Sequence, residues 1–218
     1  MTATNSVIIR GSAPDAARAA DWPRPADCRI VAINNAWRIR EDWDYLVFPE
    51  DFPEDRRPVD CSAGQQTIEA DDFVPANNQF GGIVYAGGTM AFTAGYWALA
   101  ALKPRVLAYL GCDMVYSDAK THFYGEGTAD PLREDVTLAS LEAKSARLMA
   151  IAASQGCACV NLSTKPESRL VFPRAAHTEL NGELPVARTS DYLFDKALRA
   201  EKDLGYFVES GIYWEHPA

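Results

Sequence analysis

A chain of 218 residues, 48% apolar and 23% charged, has the length and composition of one soluble α/β domain with a sizeable core. Its formal net charge of -9 excludes a broadly basic surface, so nucleic acid is not an expected partner, whereas a small anionic ligand held by backbone N–H groups is compatible with it. Five cysteines, Cys28, Cys61, Cys112, Cys157 and Cys159, fit neither a disulfide framework nor a zinc ribbon and read as reduced, mostly buried thiols. No apolar run reaches membrane-spanning length, and the opening MTATNSVIIRG leads straight into a strand without the plan of a signal peptide, so the expected location is the cytoplasm.

In chain order, Val7-Ile8-Ile9 is a short apolar strand that ends at Arg10-Gly11-Ser12-Ala13-Pro14, and Ala13 to Ala20 reads as a short helix. A strand, a small-residue turn and a helix in that order form either a phosphate cradle or a plain tight turn. Cys28 to Ile33 is the second strand and stops at Asn34-Asn35, a pair able to donate and accept hydrogen bonds. Tyr45 to Phe48 is the third strand. Phe52 to Gln79, rich in Pro, Asp, Asn and Gln, reads as an excursion from the sheet, a small irregular lid or a surface loop over 52–80.

Gly81 to Gly88 (GGIVYAGG) is expected as a short strand bracketed by glycines. Thr89 caps a helix that is apolar nearly all round up to Pro104, and Gly87-Gly88-Thr89 is a second turn suited to an anion. Arg105 to Leu110 is a buried strand that breaks at Gly111 and releases a loop carrying Asp113, Tyr116, Asp118, Lys120, His122 and Tyr124. A helix from about Val136 to Gln155, capped by Asp135, leads to the strand Cys157 to Leu162, with Ser163 and Thr164 at its mouth. An extended piece around Leu170 to Phe172 and a helix from about Ser190 to Leu204 follow. The aromatic stretch Tyr206 to Trp214 is expected to pack on the body or on a second copy of the chain, which makes 165–218 an extension of a single 1–218 domain.

Alternating strands and helices predict a single Rossmann-like α/β domain, with one mostly parallel sheet and helices on both faces. The carboxyl ends of its strands then share one crevice, bringing Gly11, Ser12, Asn34, Asn35, Gly111, Asp113 and Ser163 to one rim. His122 can take a proton from a hydroxyl nucleophile, or can be an ordinary capping residue of the loop. Asp113 either caps the loop or orients a ligand or metal, and Tyr116 and Tyr124 either donate to a departing phosphate or cover a core edge. The spacing of Asp113, Asp118 and His122 matches no established metal-ligand pattern, so no metal site is assigned.

Over most of the first 170 residues the ordered elements resemble a known superfamily. VIIRGSAPD resembles the strand-and-turn of bacterial lipooligosaccharide sialyltransferases, with Ala13 in place of the second glycine. Asn34 or Asn35, Gly87-Gly88-Thr89, and a strand ending in Gly111, Asp113 and Tyr116 follow in the same order. GCDMVYSDAKTHFYG is similar to the G-x-D-x-x-Y-x-D-G-x-T-H segment of Maf-type flagellin glycosyltransferases and archaeal 6-hydroxymethylpterin diphosphokinase-like proteins, with Ala119 in place of the loop glycine. Asn161-Leu162-Ser163 and Ser168-Arg169-Leu170 are similar to marks after the last core strand.

The resemblance implies a glycosyltransferase that uses a nucleotide-sugar of the CMP-sugar type as substrate, with no resident cofactor. It puts phosphate near Gly11, Ser12 and Ala13, ribose or base near Asn34 and Asn35, and further ligand contacts at Gly88, Thr89, Gly111 and Ser163. His122, Tyr116, Asp113 and Tyr124 would then carry catalysis. Two alternatives stand beside it: an ATP-using pterin diphosphokinase-like transfer with Mg²⁺ on Asp113 and Asp118, and a nucleotide-binding module without catalysis, with which the replacements at Ala13 and Ala119 are compatible.

Overall fold

The computed structural model describes residues 5–115, 122–124, 140–188 and 191–203. Within these, six parallel strands form one sheet: β1 (Ser6–Arg10), β2 (Cys28–Ile33), β3 (Tyr45–Val47), β4 (Gln66–Ile68), β5 (Val106–Leu110) and β6 (Ala158–Asn161). Their order across the sheet is β4-β3-β2-β1-β5-β6, so the chain winds outward from β1 in one direction and, after β4, returns to wind in the other. Every residue of β1 and β5 is buried, which is why both read as unbroken apolar runs rather than as alternating ones. Their register is Ser6 against Val106 through Arg10 against Leu110.

The α-helices are α1 (Ala70–Asn78), α2 (Ile83–Ala86), α3 (Met90–Ala101), α4 (Leu141–Ser154) and α5 (Asp191–Asp203). The first four and part of α5 share a core cluster with Val7, Ile9, Val31, Leu107 and Tyr109 on one face of the sheet. The opposite face, which carries Ile8, Ile30, Ala108 and Leu110, is covered by two 3-10 helices, Pro14–Asp21 and Asn34–Ile39, and by the segments that follow them. Both faces are thus layered, the second by shorter and tighter turns. Thr89 caps α3 as expected, its hydroxyl accepting from the Phe92 N–H at 3.4 Å.

Several local expectations change. GGIVYAGG is not a strand: Gly81 and Gly82 sit at φ 98 and 86, and this left-handed pair turns the chain into the short helix α2 although Ile, Val and Tyr favour strands. The excursion from Phe52 is shorter than expected, because Gln66–Ile68 rejoins the sheet as its edge strand and α1 then packs on α3. The described start of α4 is capped by Ser140, which accepts from the Ala143 N–H at 3.2 Å; Asp135, Val136 and Leu138 lie outside the described residues. Leu170 to Phe172 is irregular, and the chain touches β6 through a single bridge, Asn161 to Arg174.

Helix α5 is tied to α4, where Arg147 holds Glu201 at 2.8 and 2.6 Å while also donating to the Tyr96 hydroxyl and the Phe80 carbonyl. The aromatic stretch Tyr206 to Trp214 lies outside the described residues. All five cysteines are free thiols, and only Cys61 is exposed. No helix among the described residues is long and apolar enough to cross a membrane.

Packing of α3 on β5 is tight enough to be tested at one atom. A Cβ at Gly95 would lie 1.9 Å from the Tyr109 hydroxyl, which is fully buried and donates to the Ala91 carbonyl at 3.3 Å. Alanine would favour the helix by roughly 1 kcal/mol, but relieving the overlap costs about 1–3 kcal/mol. Gly95→Ala is therefore expected to lower the denaturant midpoint; a midpoint equal to or above that of the parent would contradict this packing.

Candidate functional site

In a parallel sheet a crevice opens where neighbouring strands send their connections to opposite sides, at the carboxyl ends. Here that point lies between β1 and β5. The two ends are joined beyond the strands: the Gly11 N–H donates to the Leu110 carbonyl at 2.8 Å and the Ala13 N–H to the Gly111 carbonyl at 3.1 Å. The approach leaves no room for side chains. A Cβ at Gly11 would lie 2.3 Å from the Gly111 oxygen, and one at Gly111, whose φ is +68, would lie 2.5 Å from the Ala16 Cβ. The sequence has glycine at both positions for this reason.

Ser12 projects from this seam, and the loop after β5 returns to meet it. The Phe123 N–H donates to the Ser12 carbonyl at 2.8 Å, and the Ser12 hydroxyl lies 2.9 Å from His122 Nδ1. Tyr124 stacks on the imidazole with ring centroids 4.9 Å apart and planes within 3°. The His122 ring is therefore fixed on one edge by Ser12 and on one face by Tyr124, with Nε2 the nitrogen not engaged by Ser12. Burial lowers its pKa from the ordinary 6.5, so the neutral form, which has a lone pair to offer, is favoured at neutral pH.

Asp113 lies two residues beyond Gly111 and is 2% exposed. Its Oδ1 accepts from Asn161 Nδ2 at 3.2 Å and lies 3.8 Å from Arg174 Nη1, while Oδ2 has no hydrogen-bond partner. Asn161 also donates to the Ser168 hydroxyl at 3.0 Å and accepts from the Ser163 N–H at 2.9 Å. Ser163 is taken up by this turn, its Oγ accepting from the Lys165 N–H and its carbonyl from Arg174. On the far side of Ser12, at the end of β2, Asn34 adopts φ 49 and the side-chain oxygens of Asn34 and Asn35 are buried without partners. Buried acceptors left open in this way are costly unless a donor arrives.

The structure thus brings Gly11, Ser12, Ala13, Gly111, His122 and Tyr124 into one assembly. Asn34 and Asn35 stand at the adjacent strand end, and Asp113 joins the end of β6. Gly88, at φ 100, and Thr89 approach the same loop from α3, where the Thr89 hydroxyl lies 3.7 Å from the Met114 sulfur. Tyr116, Asp118, Lys120 and Ala119 lie outside the described residues. Sequence reasoning did not single out Arg174 as a partner of Asp113; the marks at Asn161 and Ser168 were visible, but nothing in the sequence paired them with position 113. Among the described residues no group of three His, Cys, Asp or Glu side chains converges in a metal-binding arrangement.

The burial of His122 gives a pH prediction. A depressed folded-state value means that the stability contributed by the neutral imidazole is present above the unfolded value and lost as pH falls through the folded one. The His122 ring protons in an NMR titration are expected to move with a midpoint below 6.5. A midpoint above that value would contradict burial as the dominant influence on the ring.

No family model matches the sequence, and no curated protein matches it by sequence. Two solved structures of the sialyltransferase CstII from Campylobacter jejuni are similar to this chain. The one in complex with the substrate analogue CMP-3FNeuAc aligns with a TM-score of 0.48 and 16% identity over 87% of this chain and 93% of that chain. The one with cytidine-5'-monophosphate aligns with a TM-score of 0.47 and 11% identity over 90% of this chain and 98% of that one.

Proposed function

We propose that this chain is a sialyltransferase-like glycosyltransferase, moving a sugar from a nucleotide-sugar of the CMP-sugar type to an acceptor hydroxyl at the β1/β5 crevice. The observation that carries the reading is the Ser12–His122 pair: a histidine favoured in its neutral form, oriented through Nδ1, at the carboxyl-end switch point of a parallel sheet. The unpaired oxygens of Asn34 and Asn35 add to it, since ribose hydroxyls and an exocyclic amine of a base are the donors such acceptors need.

In this reading Nδ1–H donates to Ser12 Oγ, and Nε2 accepts the proton of the acceptor hydroxyl as its oxygen attacks the anomeric carbon. The bond from that carbon to the phosphate oxygen breaks, and the departing nucleotide phosphate takes the electron pair. Because Gly11 and Ala13 spend their N–H groups across the seam, the phosphate contact at this turn falls to Ser12. Tyr124 holds the imidazole plane. Gly88 and Thr89 shape the neighbouring wall, with Gly111 and Ser163 forming the rim. Tyr116 is the candidate donor to the leaving phosphate.

A second reading has its own observation. Asp113 is nearly wholly buried with Oδ2 unpaired, which suits a Mg²⁺ ligand in an ATP-dependent diphosphoryl transfer with Asp118 as its companion. The nearby Arg174 guanidinium already offsets part of that carboxylate's charge, and this favours the first reading.

A panel of cytidine, uridine, guanosine and adenosine nucleotides and their sugars, with and without Mg²⁺, separates these readings by thermal shift and product formation. A cytidine nucleotide at about 100 times its dissociation constant is expected to add about 2.7 kcal/mol of stability. His122→Ala is expected to reduce turnover by about 10²–10⁴-fold with donor affinity nearly intact. Strict dependence on Mg²⁺ and ATP would select the second reading. Ligand stabilisation without product would indicate a binding module, and absence of any nucleotide effect would remove the crevice assignment.

A further inference from the structure

On the face of the sheet away from the α-helices, the last side chain of β1 is Arg10. It is 1% exposed, and none of its three guanidinium nitrogens has a hydrogen-bond partner. Burial, then the proximity of Arg40, lowers its pKa to about 10, which still leaves it cationic at neutral pH. An ion buried without a counter-charge or hydrogen bonds is among the most expensive features a fold can carry.

The surroundings are already committed. Arg40 grips Asp42 through both carboxylate oxygens and donates to the carbonyls of Ala19 and Trp22 at 2.9 and 2.8 Å. Arg24 pairs with Asp44 and donates to the carbonyls of Cys28 and Asp42, and Arg29 takes the other oxygen of Asp44 at 2.9 Å. Asp42, which acts to raise the Arg10 pKa, is therefore neutralised by Arg40. His177 Nε2 lies 3.1 Å from the Pro23 carbonyl, and its ring stacks on Trp22 at 4.6 Å.

Between these groups is a cavity of about 10 Å³ lined by Ile8, Arg10, Trp22, Arg24, Arg40 and His177, among others. Such a volume holds about one water-sized particle. The lining presents three arginines, and among its described residues the fully buried donors left without a partner are those of Arg10. We propose that this cavity is a binding site for one monatomic, halide-sized anion, held by the Arg10 guanidinium and completing the charge balance beneath β1 and β2. The site is separate from the crevice, on the face covered by the 3-10 helices, and its occupant is structural rather than a substrate. The small space suits a monatomic ion better than a polyatomic oxyanion, and a water would leave the cation uncompensated.

The test compares the melting temperature of the full chain in sodium chloride, bromide, phosphate and gluconate at equal ionic strength, together with bromide-soaked crystals. Chloride and bromide are expected to raise the melting temperature progressively with concentration over gluconate, as a ligand of the native state does. Arg10→Met, which removes the charge while keeping a long apolar side chain, is expected to abolish the difference between halide and gluconate. Bromide is expected to give an anomalous peak beside Arg10 in the parent crystals, a readout that stands even if the variant fails to fold. Equal melting in halide and gluconate with no bromide peak, stabilisation by phosphate but not by halide, or a halide effect that persists in Arg10→Met would each overturn the proposal.

Discussion

The contact on which the rest of the molecule depends is the seam between Gly11 and Gly111. Two backbone hydrogen bonds carry the β1/β5 pairing past the ends of the strands, and the absence of side chains lets the two turns lie against each other and against Ala16. The consequence is positional. Ser12 emerges from the seam on one side and Asp113 on the other, while the returning loop is fastened to Ser12 through Phe123 and His122. A side chain at either glycine would separate the turns and move every one of these groups.

The seam also changes the chemistry expected of this turn. A strand-turn-helix unit suggests a row of free N–H groups for a phosphate. In this chain Pro14 has no N–H to offer, those of Gly11 and Ala13 are spent across the seam, and the Asp15 carboxylate accepts from the Thr164 N–H and hydroxyl at the end of β6. The site proposed for this crevice therefore rests on side chains, those of Ser12, His122, Asn34, Asn35 and Asp113, rather than on a backbone cradle. The open acceptors of the asparagines and of Asp113 call for donors, whereas the open donors of Arg10, on the other face, call for an acceptor.

Much of this was legible before the structure, and the reasons differ by element. β1, β2, β3, β5 and β6 were readable because their residues are nearly all buried and so form mostly apolar runs, and this holds for β6 although it lies at an edge of the sheet. β4 was not, because an edge strand of three residues, Gln66–Ile68, buries only Ile68. GGIVYAGG misled because β-branched and aromatic residues argue for a strand locally, while the positive φ of Gly81 and Gly82 decides the backbone direction. Ser12 and His122 were each visible as candidates, but their pairing spans 110 positions, and no periodicity reports a contact of that range. The partnership of Asp113 with Asn161 and Arg174 was hidden for the same reason, and Arg10 looked like an ordinary strand end.

The assignment of the crevice can be tested at a single side chain. Cytidine monophosphate is titrated into the protein while its histidine ring protons are followed by NMR, a simple spectrum because the sequence contains only three histidines. Binding at the β1/β5 ends should shift the His122 resonances and change the midpoint of their titration, and should leave those of His177, stacked on Trp22, in place. Saturating nucleotide that leaves His122 unmoved, or moves His177 equally, would contradict a site organised around Ser12 and His122.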